Sequence, residues 1–109
     1  MATTYKVLGQ VNPSATTATT LYTVPSATST VVSTITICNQ ASSAATYRIA
    51  VRPAGETLAA KHYIVYGATV AASDTTTLTL GLTLATTDVV TVYASSANLS
   101  FNAFGSEIA

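Results

Sequence analysis

The sequence predicts an all-β fold, a single-domain antiparallel β-sandwich that spans residues 1–109. Apolar and small polar residues alternate over short runs, as in strands that bury one face. Turn residues recur about every eight to twelve positions, which gives about eight short strands. Thr, Val, Ile and Tyr fill the runs, and these residues favour pleated sheets over helices. The pattern is compatible with a jelly roll and equally with an immunoglobulin-like sandwich.

Two short strands are predicted before the middle of the chain. The first covers residues 5–10 and is followed by a turn at Asn12-Pro13. The second covers residues 21–24 and ends at Pro25, because proline has no amide hydrogen to donate to a neighbouring strand.

The longest strand signal lies between Ser29 and Pro53, where two alternating runs are joined by Gln40-Ala41-Ser42-Ser43. We expect these runs to form a long β-hairpin. In the first run, alternation places Val31, Ser33, Ile35 and Ile37 on one face and Val32, Thr34, Thr36 and Cys38 on the other. In the second, it places Tyr47, Ile49 and Val51 opposite Thr46, Arg48, Ala50 and Arg52.

The chain after this pair has weaker signals at first. Pro53-Ala54-Gly55 breaks the strand, and residues 56–61 are compatible with one helical turn or with an irregular crossover. The β-rich run 62–66 is predicted to end at Gly67.

The cleanest alternation in the sequence follows. It predicts a half-buried strand with Leu78, Leu80, Leu82 and Leu84 on one side and Thr77, Thr79, Gly81 and Thr83 on a solvent or interface side. Further strands are predicted at residues 89–94 and 99–102, with Phe104 and Ile108 continuing the burial.

Charge is scarce: 7% of residues are Asp, Glu, Lys or Arg and the net charge is zero, against about 25% in a typical domain. A weakly charged surface resists association poorly, so we expect the protein to pack against its own copies or a partner. Nucleic acid is not an expected partner, because phosphate binding needs clustered cations. A membrane is not expected either. The four cations are Lys6, Arg48, Arg52 and Lys61.

No catalytic, cofactor or metal site is predicted, and the protein is not expected to be an enzyme. His62 is the only histidine available as a base, and no serine stands in a Gly-x-Ser-x-Gly elbow. Asp74 and Asp88 lie in predicted turns, where aspartate caps backbone amides. Cys38 is the single cysteine, so an intrachain disulfide is impossible.

Arg48 and Arg52 carry half of the positive charge within five residues. Strand spacing places both on one face, opposite Tyr47, Ile49 and Val51. They are either two solvated side chains or an anchor that grips a partner, because arginine is enriched at interfaces. The sequence therefore gives Arg48 and Arg52 as possible partner contacts.

Several sequence segments resemble segments of small virion structural proteins of tailed phages, especially cyanophages. The segments are Lys6-Val7-Leu8-Gly9-Gln10, Leu21-Tyr22-Thr23-Val24-Pro25, Tyr47-Arg48-Ile49-Ala50-Val51-Arg52-Pro53, Lys61-His62-Tyr63-Ile64, Asp88-Val89-Val90-Thr91-Val92-Tyr93-Ala94-Ser95, Asn98-Leu99-Ser100-Phe101 and Phe104-Gly105-Ser106-Glu107-Ile108. None of them is a catalytic or ligand motif.

The resemblance implies a virion component, made in the host cytoplasm and assembled in many copies. The expected function is a capsid decoration or cement protein, a homo-oligomer with a trimer favoured, which bridges subunits of the major capsid protein. One alternative is a protein of the neck, tail or fibres. Another is a receptor- or carbohydrate-binding module, which needs clustered exposed aromatic residues. The opening residues 1–5 lack the basic and apolar pattern of a signal peptide, which fits synthesis in a cytosol.

Overall fold

The computed structural model describes residues 2–109, which form eight β-strands and two short 3₁₀ turns. The strands are β1 (Thr3–Val11), β2 (Thr19–Thr23), β3 (Ser29–Asn39), β4 (Ala45–Arg52), β5 (Tyr63–Val70), β6 (Thr75–Leu84), β7 (Val89–Ala94) and β8 (Leu99–Ile108). The 3₁₀ turns are Pro53–Gly55 and Ala60–His62, both between β4 and β5. The all-β prediction is confirmed.

The strands pair as nested antiparallel couples, β1 with β8, β2 with β7, β3 with β6 and β4 with β5. Together they are one long ribbon that turns back between β4 and β5. Rolling this ribbon brings β3 beside β8 and β4 beside β7. The result is two four-stranded sheets, in the orders β1-β8-β3-β6 and β2-β7-β4-β5. This order is a jelly roll, which decides between the two sandwiches that the sequence left open.

The predicted hairpin between β3 and β4 is wrong, because the two strands lie in different sheets. The buried side chain of Asn39 holds the crossing between them. Its amide donates to the carbonyls of Ser43 at 2.9 Å and Val70 at 3.2 Å, and its Oδ1 accepts from the amide of Ala41 at 3.0 Å. These bonds bind the link to the β5–β6 end, so the four residues span two packed layers instead of forming a tight turn.

The face assignment in β3 is correct for one half of the strand and wrong for the other. Ile35 and Ile37 are fully buried as predicted, but Val32 enters the core and Val31 points outward. The reason is a β-bulge at Ser33, where the register shifts against both neighbouring strands. A bulge adds one residue and reverses the phase of the alternation.

In β5, the expected end at Gly67 is also wrong. The strand continues through Gly67 to Val70, and Gly67 adopts a φ of 76°. Tyr47 pairs with Ala68 and Arg48 with Tyr66, so Gly67 is the extra residue of a bulge. Glycine accepts this left-handed conformation without a steric penalty, and it therefore bends the strand instead of ending it.

The remaining predicted strands are present, but three of them have other bounds. Residues 5–10, 21–24 and 99–102 were predicted, and the strands cover Thr3–Val11, Thr19–Thr23 and Leu99–Ile108. In β6 the leucines pack against the core while Thr77, Thr79 and Thr83 are exposed, and β7 has its predicted bounds. Leu99 and Phe101 of β8 are fully buried, whereas Phe104 and Ile108 are only half-buried. The largest fully buried side chains between the sheets are Phe101, Ile35, Ile37, Ile49 and Leu99. The Phe101 ring meets Tyr47 edge to face, with 6.2 Å between centroids.

Candidate interaction surfaces

Arg48 lies on the outer face of the β2-β7-β4-β5 sheet, as its strand position predicts. Its neighbours across the sheet are Tyr93 of β7 and Tyr66 of β5. The guanidinium carbon is 4.1 Å from the centroid of the Tyr93 ring and 4.2 Å from that of Tyr66, so the cation stacks between the two rings. Tyr63 meets the Tyr66 ring edge to face at 5.0 Å. We call Tyr63, Tyr66, Tyr93 and Arg48 the tyrosine–arginine cluster.

Arg52 shares this face but has a different role. Its Nε donates to the Thr91 hydroxyl at 3.0 Å. One terminal nitrogen donates to the carbonyls of Glu56 at 2.9 Å and Gly55 at 3.3 Å. Residues 53–62, which we call the crossing segment, run from β4 to β5, and Arg52 fastens them to β7. Both predicted arginines thus lie on one face, but Arg48 stacks on aromatic rings whereas Arg52 forms hydrogen bonds.

His62 holds the other end of the crossing segment. It precedes β5 in a 3₁₀ turn and is 5% exposed. Its Nδ1 accepts from the Ala59 amide at 3.0 Å, so Nε2 carries the hydrogen and donates to Glu56 Oε1 at 3.1 Å. Both ring nitrogens are used within the segment, and His62 therefore acts as a structural cross-link of this loop.

A pocket opens between the crossing segment and β5. It is lined by Leu58, Ala59, Ala60, Tyr63 and Tyr66, and its volume is about 650 Å³. Tyr66 belongs to both the pocket and the tyrosine–arginine cluster, and 65% of it is exposed. Ile64, from the same strand, is 44% exposed. This edge of the molecule therefore combines a concave site with exposed aromatic surface.

The outer face of the opposite sheet, β1-β8-β3-β6, has another character. The register places its outward residues in rows across four strands, for example Val7, Phe104, Thr34 and Thr79. A second row contains Gln10, Asn102, Thr36 and Thr77, in which the Gln10 amide donates to Asn102 at 2.7 Å. We call this surface the threonine face. Tyr5, 83% exposed, lies at its edge, and Cys38 lies in it beside Ser100 and Thr75.

The charged residues described in 2–109 all lie off the threonine face. Lys6 and Glu107 pair at 3.1 Å at one end of the sandwich. Asp74 and Asp88 lie in turns, where their carboxylates accept backbone amides. The remaining four belong to the opposite sheet and its crossing segment, namely Arg48, Arg52, Glu56 and Lys61. One sheet face is therefore uncharged, and the other carries three of the chain's four cations.

Residues 2–109 contain no group of three or more His, Cys, Asp and Glu side chains placed to hold a metal ion. In the same range, no helix has the length and apolar character needed to cross a membrane. Compared with protein-family models and with curated protein sequences, the chain matches none of them.

Sequence reasoning identified Arg48 but missed the tyrosines around it. Tyr63, Tyr66 and Tyr93 read as ordinary strand residues, because alternation gives a side chain's face and not its neighbour in the next strand. Only the register of β4 with β5 and β7 brings these rings to Arg48. The outward position of Arg48 opposite Tyr47 was the one available signal.

Proposed function

We propose that this protein is a non-enzymatic structural component of a phage virion, a decoration protein that binds the major capsid protein on the head. The observation that carries the proposal is the threonine face, which is uncharged and a full sheet wide. Burying such a face against a partner removes no formal charge from water, so desolvation is inexpensive. The resemblance of several sequence segments to virion structural proteins of tailed phages supports the assignment to a virion.

The size of the threonine face fits this task. Four strands about 4.8 Å apart, each with some ten residues rising about 3.3 Å, cover roughly 600 Å². A standard protein interface takes about 800 Å² from each partner. Tyr5, Val7 and Phe104 add apolar side chains among the threonines. Pressed against a partner surface of equal area, the face buries about 1,200 Å² in total, which is the lower end of the range for specific interfaces.

We further propose that the protein self-associates, with a trimer as the favoured state. The scarcity of charge supports association, because little electrostatic repulsion keeps copies apart. Light scattering after size exclusion, repeated across micromolar concentrations, measures the state directly. A monomer at every concentration would remove self-association but would leave assembly on a capsid lattice possible.

Copy number per purified virion tests the decoration role. Mass spectrometry against the major capsid protein is expected to give a near-stoichiometric ratio. A few dozen copies or fewer would instead place the protein at the neck, tail or fibres, which is the second assignment that the resemblance allows. Absence from the virion would overturn the proposal.

Cys38 offers a probe of the face itself, because it is the single cysteine and lies on the threonine face. We expect alkylation of Cys38 to be slower in virions than in the free protein. The matched control is a Cys38→Ser, Thr69→Cys variant, whose thiol lies on the outer face of the opposite sheet. Protection that is no greater at Cys38 than at position 69 would contradict binding through the threonine face alone.

A further inference from the structure

The tyrosine–arginine cluster has a feature that packing alone does not use. Arg48 takes part in none of the ion pairs or side-chain hydrogen bonds found among residues 2–109. Its neighbour Arg52 makes three such bonds. Stacking between two rings fixes the plane of the Arg48 guanidinium, while the N–H groups around its edge keep their capacity to donate. A fixed guanidinium edge matches a carboxylate, which accepts two parallel hydrogen bonds.

The adjoining pocket supplies the complementary apolar contact. Its volume of about 650 Å³ lies in the usual range of ligand sites. Tyr66 connects the pocket with Arg48, and the edge-to-face contact with Tyr63 holds its ring in place. A tyrosine ring offers a rigid surface that loses little conformational freedom on binding. A ligand in the pocket therefore meets a preformed aromatic wall next to unused donors.

Charge complementarity favours an anionic ligand. Arg48, Arg52 and Lys61 all lie on this side of the molecule. The carboxylate of the crossing segment, Glu56, is already engaged by the buried His62 at 3.1 Å and by Lys61 at 3.8 Å. Asp88 is occupied as well, since it accepts the amides of Ala54 and Ala85. An incoming acid thus meets excess positive charge.

We propose that this pocket binds an acidic saccharide, a pyranose ring that carries a carboxylate. The C–H face of the sugar packs on Tyr66, its hydroxyl groups face the Tyr63 hydroxyl and the backbone of residues 58–60, and its carboxylate pairs with Arg48. Single-stranded nucleic acid also combines stacking with phosphate pairing, but it needs a cationic groove along several nucleotides. The chain has only four cations, so the single pocket fits a sugar better.

The experiment is an NMR titration of the isotope-labelled full chain. The probes are oligomers of galacturonic acid and of N-acetylneuraminic acid, with the methyl ester of the galacturonate as the neutral control. We expect amide shifts confined to Arg48, Leu58–Ala60, Tyr63 and Tyr66, and tighter binding of the acid than of the ester. Tyr66→Ala is expected to weaken binding by about tenfold or more. Arg48→Gln is expected to remove the preference for the acid.

The matched control is Tyr5→Ala, which removes an even more exposed tyrosine from the opposite sheet and is expected to leave the affinity unchanged. Three results would overturn the assignment. They are an absence of shifts with both acid series at about 10 mM, unchanged binding by Tyr66→Ala, and stronger shifts at the same residues with oligothymidylate. The outcome does not depend on where in a virion the protein lies.

Discussion

The hydroxyl of Tyr22 donates a hydrogen bond to Glu107 Oε2 at 2.5 Å, and this bond joins β2 of one sheet to β8 of the other. The same hydroxyl lies 2.8 Å from the Thr30 hydroxyl, and Lys6 binds the second oxygen of Glu107 at 3.1 Å. Polar groups therefore connect the layers at the end where β1, β2 and β8 meet. Asn39 makes a second polar connection between the sheets through its bond to Val70, and the core between them is a cluster of apolar side chains.

Because of the connection between Tyr22 and Glu107, the stability of the protein depends on pH in the acidic range. The hydrogen bond from Tyr22, with help from Lys6 and against partial burial, lowers the pKa of Glu107 below its ordinary 4.5. A lowered pKa contributes stability that is present above pH 4.5 and is lost as the pH falls through the folded-state pKa. We expect Glu107→Gln to be less stable than wild type at neutral pH, with the difference shrinking in acid. Urea midpoints across this range measure it, and a constant difference would contradict the assignment.

At alkaline pH the dependence is reversed, because stability falls as the pH rises. Burial, followed by the bond to Glu107, raises the pKa of Tyr22 from 10.0 to about 12. Its contribution is complete below pH 10.0 and is lost as the pH rises toward about 12. We expect Tyr22→Phe to lower the free energy of unfolding by about 1–3 kcal/mol at neutral pH and to flatten this alkaline loss. Tyr5→Phe, at an exposed tyrosine, is the control and is expected to change neither quantity.

Asn39 tests how the chain crosses between the sheets. Removing its side chain leaves carbonyls of Ser43, Val70 and Ala71 without this donor in a largely buried setting. We expect Asn39→Ala to lower the free energy of unfolding by roughly 2–4 kcal/mol. Asn98→Ala, at an exposed position in another loop, is expected to stay within about 0.5 kcal/mol of wild type. Equal effects in urea denaturation would show that Asn39 does not hold the crossing.

Gly105 marks a place where two strands approach too closely for a side chain. A Cβ at this position would lie 2.0 Å from the Val31 carbonyl oxygen, so the backbone has to move. We expect Gly105→Ala to destabilise the protein by about 1–3 kcal/mol or more. Ser106→Ala, at the adjacent outward position, is the control, with an expected change near zero. Thermal unfolding of the two variants measures the difference, and a neutral Gly105→Ala would contradict the close approach.

The sequence predicted most strands and much of the core, because alternation records burial directly. Leu99, Phe101 and the leucines of β6 were all assigned to the buried side correctly. Its errors have a common cause in residues that change phase or direction. Ser33 and Gly67 insert bulges, and Asn39 sends the chain to the other sheet. Such effects depend on partner strands, which a single sequence does not specify.

The last prediction concerns Arg48 and Arg52, which look alike in the sequence but make different contacts in the structure. Arg52→Ala removes the bonds that fasten the crossing segment to β7, and we expect a loss of about 1–3 kcal/mol with faster proteolysis within residues 53–62. Arg48→Ala removes two ring contacts, for which about 1 kcal/mol is expected. If Arg48 is the free donor at a ligand or partner site, Arg48→Ala weakens binding and Arg52→Ala does not. In Arg48→Ala, residues 53–62 stay as resistant to protease as in wild type. Urea denaturation and limited proteolysis of both variants separate these roles, and matching profiles would show that both arginines serve the fold alone.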